Sequence, residues 1–170
     1  MAEDGDTAAM VKLARLQQAA CVPERADALY RTAAEAGDHL ALVELARAHV
    51  SEGDLYQAER LARAAAKSGD PTVLLELARV QELAGHPHTS ERVAHAAAPY
   101  STAALLELAR LRRQARDFPA AERLARAAVE AGDAYGYALL ALIRQMTGDS
   151  QEAERLGRTA AADGDTSALI

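Results

Sequence analysis

Apolar residues recur along this chain with helical rather than strand spacing, and the pattern itself repeats. Between Gly37 and Ser68, Leu40, Leu42, Val43, Leu45 and Ala46 mark one amphipathic run, and Ala58, Leu61, Ala62 and Ala65 mark a second. A Gly-Asp pair precedes each run, at Gly37-Asp38 and at Gly53-Asp54. Glycine just past a helix end adopts the left-handed conformation that closes it, and aspartate as N-cap accepts a hydrogen bond from a free backbone N–H of the next helix. The stretch therefore predicts two helices joined by a very short turn, a helical hairpin.

The same mark falls at Gly5, Gly37, Gly69, Tyr100, Gly132 and Gly164, a spacing of about 32 residues that lies in the range of solenoid repeats. It divides the chain into units 5–36, 37–68, 69–99, 100–131 and 132–163, with a truncated sixth at 164–170. The expectation is one array, 1–170. One step is a residue short, at Ala98-Pro99-Tyr100-Ser101, which shortens a turn and leaves the helices in phase. In the first unit the pattern places helices over Thr7 to Ala19 and Pro23 to Glu35, with Pro23 at a helix start where its missing N–H costs nothing. A lone hairpin cannot bury its apolar face, so stability must come from stacking. The sequence opens at Ala2 to Asp6 as if at the end of a unit and closes at Gly164 to Ile170 as if at the start of one, which reads as a segment of a longer array.

Composition narrows the chemistry. Alanine makes up roughly a quarter of the chain and aromatics only 4%, so alanine-rich helices must fit closely in place of large anchors. A net charge of −6, with no basic block, argues against nucleic acid as partner. No apolar run approaches the roughly 20 residues of a spanning helix, and Met1-Ala2-Glu3-Asp4 does not start a secretory signal, so no membrane role is expected. Cys21 is the sole cysteine, which makes a reducing cytoplasm the default. The excess of arginine over lysine points to a GC-rich, bacterial genome. Catalytic signatures are thin: Cys21 has no histidine nearby in sequence, His86, His88 and His95 supply no closed ligand set, and no phosphate-cradling loop occurs. Neither enzyme activity nor a cofactor or metal is expected.

Aligned by repeat, Leu13, Leu45, Leu77, Leu108 and Leu140 are each followed by an alanine, Ala14, Ala46, Ala78, Ala109 and Ala141. This resembles the large-then-small pair in the first helix of tetratricopeptide repeats. That family's small second-helix positions correspond to Ala26, Ala58, Ser90, Ala121 and Ala153, and to Ala33, Ala65, Ala97, Ala128 and Ala160. Tyr137, Phe118 and Tyr30 match three of its aromatic positions, while another first-helix aromatic is replaced by Gln17, His49, Gln81, Arg112 and Arg144. The AAEAGD phrasing also looks like the related Sel1-type repeats. Either resemblance implies an all-α solenoid of about five antiparallel hairpins wound into a right-handed superhelix, its concave face lined by first helices and used to bind proteins or peptides.

Groove positions carried over from that resemblance are Lys12, Arg15, Arg47, Arg79, Arg110 and Arg113, followed by Tyr135, Leu139, Leu142 and Met146. The implied ligand is a protein or peptide with an acidic group for the arginine row and an apolar anchor for the patch, because a guanidinium can hold a carboxylate with two parallel hydrogen bonds. Competing with this, Glu44, Glu76 and Glu107 each precede an arginine by three residues, the spacing of a solvated intrahelical pair. Leu139 and Leu142 have a similarly plain alternative, packing against the first helix of the sixth unit. Glu59-Arg63, Glu122-Arg126 and Glu154-Arg158, four apart, read as outer-surface pairs. The resulting expectation is an interaction module, the sensing or scaffolding part of a larger cytoplasmic protein. The alternative is a structural spacer that self-associates end to end through Met10, Val11, Leu169 and Ile170.

Overall fold

A computed structural model of the protein describes residues 4–20 and 22–162; Cys21, the opening Ala2-Glu3 and the sixth-unit residues 164–170 lie outside them. The described residues form ten α-helices and no strand. These are α1 (Asp4–Ala19), α2 (Pro23–Glu35), α3 (His39–Glu52), α4 (Leu55–Lys67), α5 (Thr72–Leu83), α6 (Pro87–Ala97), α7 (Ala103–Gln114), α8 (Phe118–Glu130), α9 (Tyr135–Met146) and α10 (Ser150–Ala162).

The junctions follow the chemistry of the Gly-Asp mark. Gly53 closes α3 in the left-handed conformation at φ 81°, and the Asp54 carboxylate accepts from the Gln57 N–H at 3.2 Å to open α4. Asp38 caps α3 in the same way, accepting from the N–H groups of Leu40 at 2.9 Å and Ala41 at 3.2 Å. After α7 the glycine is missing, and Arg116 takes φ 62° in its place. A side chain there strains the backbone, since the left-handed region costs an L-residue about 1–2 kcal/mol.

The chain divides into two compact units, one ending at Leu77 and one beginning at Ala78, the division falling inside α5. In the first, α1 pairs with α2, α3 pairs with α4, and α2 packs on α3. Its core gathers Val11, Ala14, Ala26, Tyr30, Ala33, Ala41 and Leu45, with Met10, Leu29, Ala34 and Leu61 against it. In the second unit, α7 pairs with α8 and α9 with α10, while α6 packs on α7 and α8 on α9. Leu105, Leu108, Leu124, Leu139 and Ile143 are buried there between alanine-lined faces. Burying a leucine or isoleucine contributes about 1.5–3 kcal/mol, so these few large residues supply much of the driving force.

Alanine permits the close approach. Ala33, Ala65, Ala97, Ala128 and Ala160 are all buried, as the small second-helix position requires. Gly136 carries the same logic further: a Cβ there would meet Val129 Cγ2 at 2.6 Å and the Ala125 carbonyl oxygen at 2.7 Å, so α9 lies on α8 without room for a methyl group.

Two expectations are corrected by burial. Leu45, Leu77, Leu108 and Leu140 are buried, but Leu13 is 45% exposed and Leu16 on the same helix is also exposed, because no earlier described helix covers that side of α1. Conversely, Val11 is buried, and Met10 packs partly buried against the first core. Among the described residues no helix is long and apolar enough to cross a membrane, and no three His, Cys, Asp or Glu side chains gather as a metal site would need.

Candidate peptide-binding face

The arginine positions on the first helices occupy different environments in the two units. In the first unit they are held by carboxylates one hairpin further on. Arg15 Nη2 donates to Glu44 Oε1 at 2.8 Å. Arg47 makes two parallel hydrogen bonds to Glu76, Nε to Oε2 at 3.0 Å and Nη2 to Oε1 at 2.8 Å. The intrahelical Glu44–Arg47 contact expected from the spacing is long, 3.9 Å. The hydrogen bond to Glu76 therefore outweighs burial and raises the Arg47 pKa above its ordinary value. These arginines staple successive first helices together. Lys12, on α1, is exposed and makes no ion pair among the described residues.

In the second unit that ladder stops. Arg79 is exposed and has no ion pair among the described residues. Arg110 lies over the ring of half-buried Tyr135, its Cζ 4.9 Å from the ring centroid, and its Nη1 stands 3.7 Å from Glu107 Oε2, too long for a hydrogen bond. Arg113 Nη1 meets Met146 Sδ at 3.5 Å, and its buried Nε has no hydrogen-bond partner. Leu142 and Met146 are exposed beside α7, whereas Leu139 is 2% exposed and belongs to the core. Leu139 thus drops out of the expected patch: it points from α9 into the packed interior, where no ligand reaches it. The structure brings Arg110 to Tyr135 and Arg113 to Met146, and leaves Arg79 and Lys12 apart from any such pairing.

The positions that replace the second first-helix aromatic have work of their own. Arg112 is mostly buried and sits among Glu82, Asp117 and Glu91. Its Nε lies 2.5 Å from Glu82 Oε1 but off the line of a hydrogen bond, while Nη2 donates to Glu82 Oε2 at 2.9 Å. Burial works against the charge on Arg112, yet the Glu82 hydrogen bond and the surrounding carboxylates hold its pKa above the ordinary value. Ser90, buried at a small position, donates to the same Glu82 at 2.5 Å. Arg144 reaches back to Glu122, which also holds Arg126. Glu122 is therefore an inter-hairpin link, more than the surface pair its spacing suggests. His49 Nδ1, in the same register, lies 3.5 Å from Glu52 and 3.9 Å from Asp54.

The missed partners leave a trace in the sequence. A glutamate three residues before each arginine, repeated with the array's period, also stands one period less three residues after the previous arginine. That second distance, across hairpins, is the one Arg15 and Arg47 use.

Neither a protein-family model nor a curated protein matches the sequence. Among solved structures, the chain is similar to a Sel1 repeat protein from Oxalobacter formigenes, at 19% identity and a TM-score of 0.49, over 96% of this chain and 75% of that one. It is also similar to pilF of Pseudomonas aeruginosa, at 17% identity and a TM-score of 0.52, over 95% of this chain and 78% of that one. At these identities the likeness speaks for the fold alone, an all-α array of repeated helical hairpins.

Proposed function

We propose that this chain is a protein- or peptide-interaction module, working as one array in the cytoplasm to sense or scaffold a partner and performing no chemistry of its own. Helical-hairpin repeats of this kind generally serve as binding surfaces, and the lone Cys21 suits a reducing compartment. The observation that carries the reading is the change along the arginine row: Arg15 and Arg47 are each taken by a glutamate of this chain, whereas Arg113 has no carboxylate partner among the described residues. A peptide carboxylate on Arg113 and Arg110 would supply the missing acceptors. Its apolar side chain would cover Leu142 and Met146, which are exposed next to them. Tyr135 holds the Arg110 guanidinium in place for that contact.

The test is selection of peptides from a random display library on the immobilised protein, repeated with Arg110→Glu/Arg113→Glu. Enrichment of sequences pairing an acidic residue with an apolar one, lost in the variant while its helicity by circular dichroism is unchanged, is the expected result. Equal enrichment on both proteins, or none, removes the first-helix groove.

One observation favours a second reading, self-association. Leu13, whose counterparts in the later repeats are buried leucines, and Leu16 expose an apolar stripe on α1. Mass that rises with concentration and returns to the monomer value in Leu13→Gln/Leu16→Gln would support it; a monomer at high concentration would end it.

A further inference from the structure

Each compact unit carries a cleft of the same build, and in the second the chain fills it with its own side chains. In the first unit a cleft of about 600 Å³ lies between α2 and α4, floored by α3. Leu45 and Leu61 form its apolar base, Ala34 and Leu42 stand beside them, and Gln57 and Arg60 line the rim. Three repeats later α8, α9 and α10 form the counterpart, with a volume of about 370 Å³. Leu140 and Leu156 take the places of Leu45 and Leu61 there, and Arg155 that of Arg60. Three positions differ in size or charge: Val129 replaces Ala34, Tyr137 replaces Leu42 and Glu152 replaces Gln57.

In the second unit the rim arginine is fully answered. Arg155 makes two parallel hydrogen bonds to Glu152, Nε to Oε2 at 2.7 Å and Nη2 to Oε1 at 2.6 Å. Tyr137 lines the same cleft, and its phenolate charge is among the causes that raise the Arg155 pKa, after the hydrogen bond to Glu152. That cleft therefore holds an aromatic ring beside a carboxylate that grips the rim arginine. The first-unit cleft has neither. Leu42 leaves the place of the ring open, and Gln57 offers Arg60 only a neutral carbonyl, Nε donating to Oε1 at 3.0 Å. Arg60 is exposed and makes no ion pair among the described residues. The remaining charges do not tell the two clefts apart. Arg31 is held by Asp27 at 2.9 Å as Arg126 is held by Glu122, and Glu35 and Glu130 line the clefts at matching positions.

We infer that the α2–α3–α4 cleft binds an aromatic residue at the carboxyl terminus of a partner protein, its ring against Leu42 and Leu61 and its carboxylate on Arg60. The ring takes the place that Tyr137 fills in the second unit, and the carboxylate takes that of Glu152. An aromatic side chain brings a large apolar surface to the cleft, and the planar guanidinium matches a carboxylate with two hydrogen bonds. A chain end carries ring and carboxylate on one residue, which lets both enter one cleft. The inference goes beyond the first-helix reading and uses none of its residues.

The test follows side-chain methyl resonances of Ala34, Leu42 and Leu61 in the full chain by NMR during titration, to millimolar concentration, with acetyl-Ala-Ala-Phe bearing a free carboxylate. Its carboxamide controls for the charge, and acetyl-Ala-Ala-Ala controls for the ring. Saturable shifts with the phenylalanine acid are expected, at least about tenfold weaker with the amide because a hydrogen bond to a charged group is lost, and absent with the alanine peptide. Arg60→Gln, a change at an exposed side chain, lowers binding to the amide level with the fold intact. Gln57→Glu gives Arg60 the internal carboxylate that Arg155 has and weakens binding likewise. Arg110→Glu/Arg113→Glu keeps the shifts, so this assignment and the first-helix groove fail separately. Absence of saturable shifts, equal response to acid and amide or to the two acids, loss of the shifts in Arg110→Glu/Arg113→Glu, or undiminished binding by folded Arg60→Gln overturns the assignment.

Discussion

Arg47 on α3 and Glu76 on α5 are joined by two parallel hydrogen bonds, of 3.0 and 2.8 Å, across successive first helices. Both side chains are a little over two-fifths exposed, 43% and 44%, so water and salt screen the pair. A double-mutant cycle with Arg47→Met and Glu76→Gln, read by urea denaturation, should give a coupling of about 0.5–1 kcal/mol that shrinks in high salt. The cycle of Arg47 with Glu44, 3.9 Å away in the same helix, should give a smaller value. The reverse order would return the arginines to intrahelical decoration.

Arg112 and Glu82 are a contrasting pair, their side chains only 11% and 14% exposed. Removing one partner leaves a charge with little water to solvate it. Arg112→Met should therefore destabilise the protein by about 3 kcal/mol, and adding Glu82→Met should recover at least half of that. Chemical denaturation of the two variants decides it. A single variant as stable as the parent would mean that the cluster is hydrated.

Gly136 tests how far the helices depend on close approach. Alanine is the better helix former by about 1 kcal/mol, yet its Cβ would lie 2.7 Å from the Ala125 carbonyl oxygen, which cannot rotate away. Gly136→Ala should cost about 1–3 kcal/mol. Val129→Ala removes the side-chain half of the clash and leaves the backbone half, so it should not rescue the variant. A gain in Tm for Gly136→Ala would show that α8 and α9 can part.

Much of the fold was legible because its cause is local. Gly53 and Asp54 need only their own backbone geometry and hydrogen bonds to end one helix and begin the next, and the burial of Ala33 and its counterparts follows from their place in the repeat. The candidate face was less legible, since what an arginine does depends on the hairpin beside it. Glu44 stands three residues before Arg47, but it is Arg15, 29 residues earlier, that takes it at 2.8 Å. Leu139 reads as a ligand anchor in sequence and lies in the core, because helical spacing gives the face of a residue only once the neighbouring helices are placed.

Tyr30 gives the pH dependence a definite sign. Its ring is buried in the first core, and its hydroxyl donates to Gln18 Oε1 at 3.3 Å. Burial, and then the nearby Glu44 carboxylate, raise its pKa above the usual 10.0, while Arg15 opposes them. In the unfolded chain the phenol ionises near pH 10, so from about there upward the unfolded state loses protons that the folded state keeps. The contribution of Tyr30 is thus full below pH 10 and is lost as the pH climbs toward the folded value. Tyr30→Phe should change stability little at neutral pH, because the hydrogen bond it removes is long. Between about pH 9 and 11.5 it should flatten the fall in stability relative to the parent, since phenylalanine has no proton to lose. Parallel curves for the two proteins in urea denaturation across that range would show that the Tyr30 hydroxyl reaches water and that the first core is looser than its burial implies.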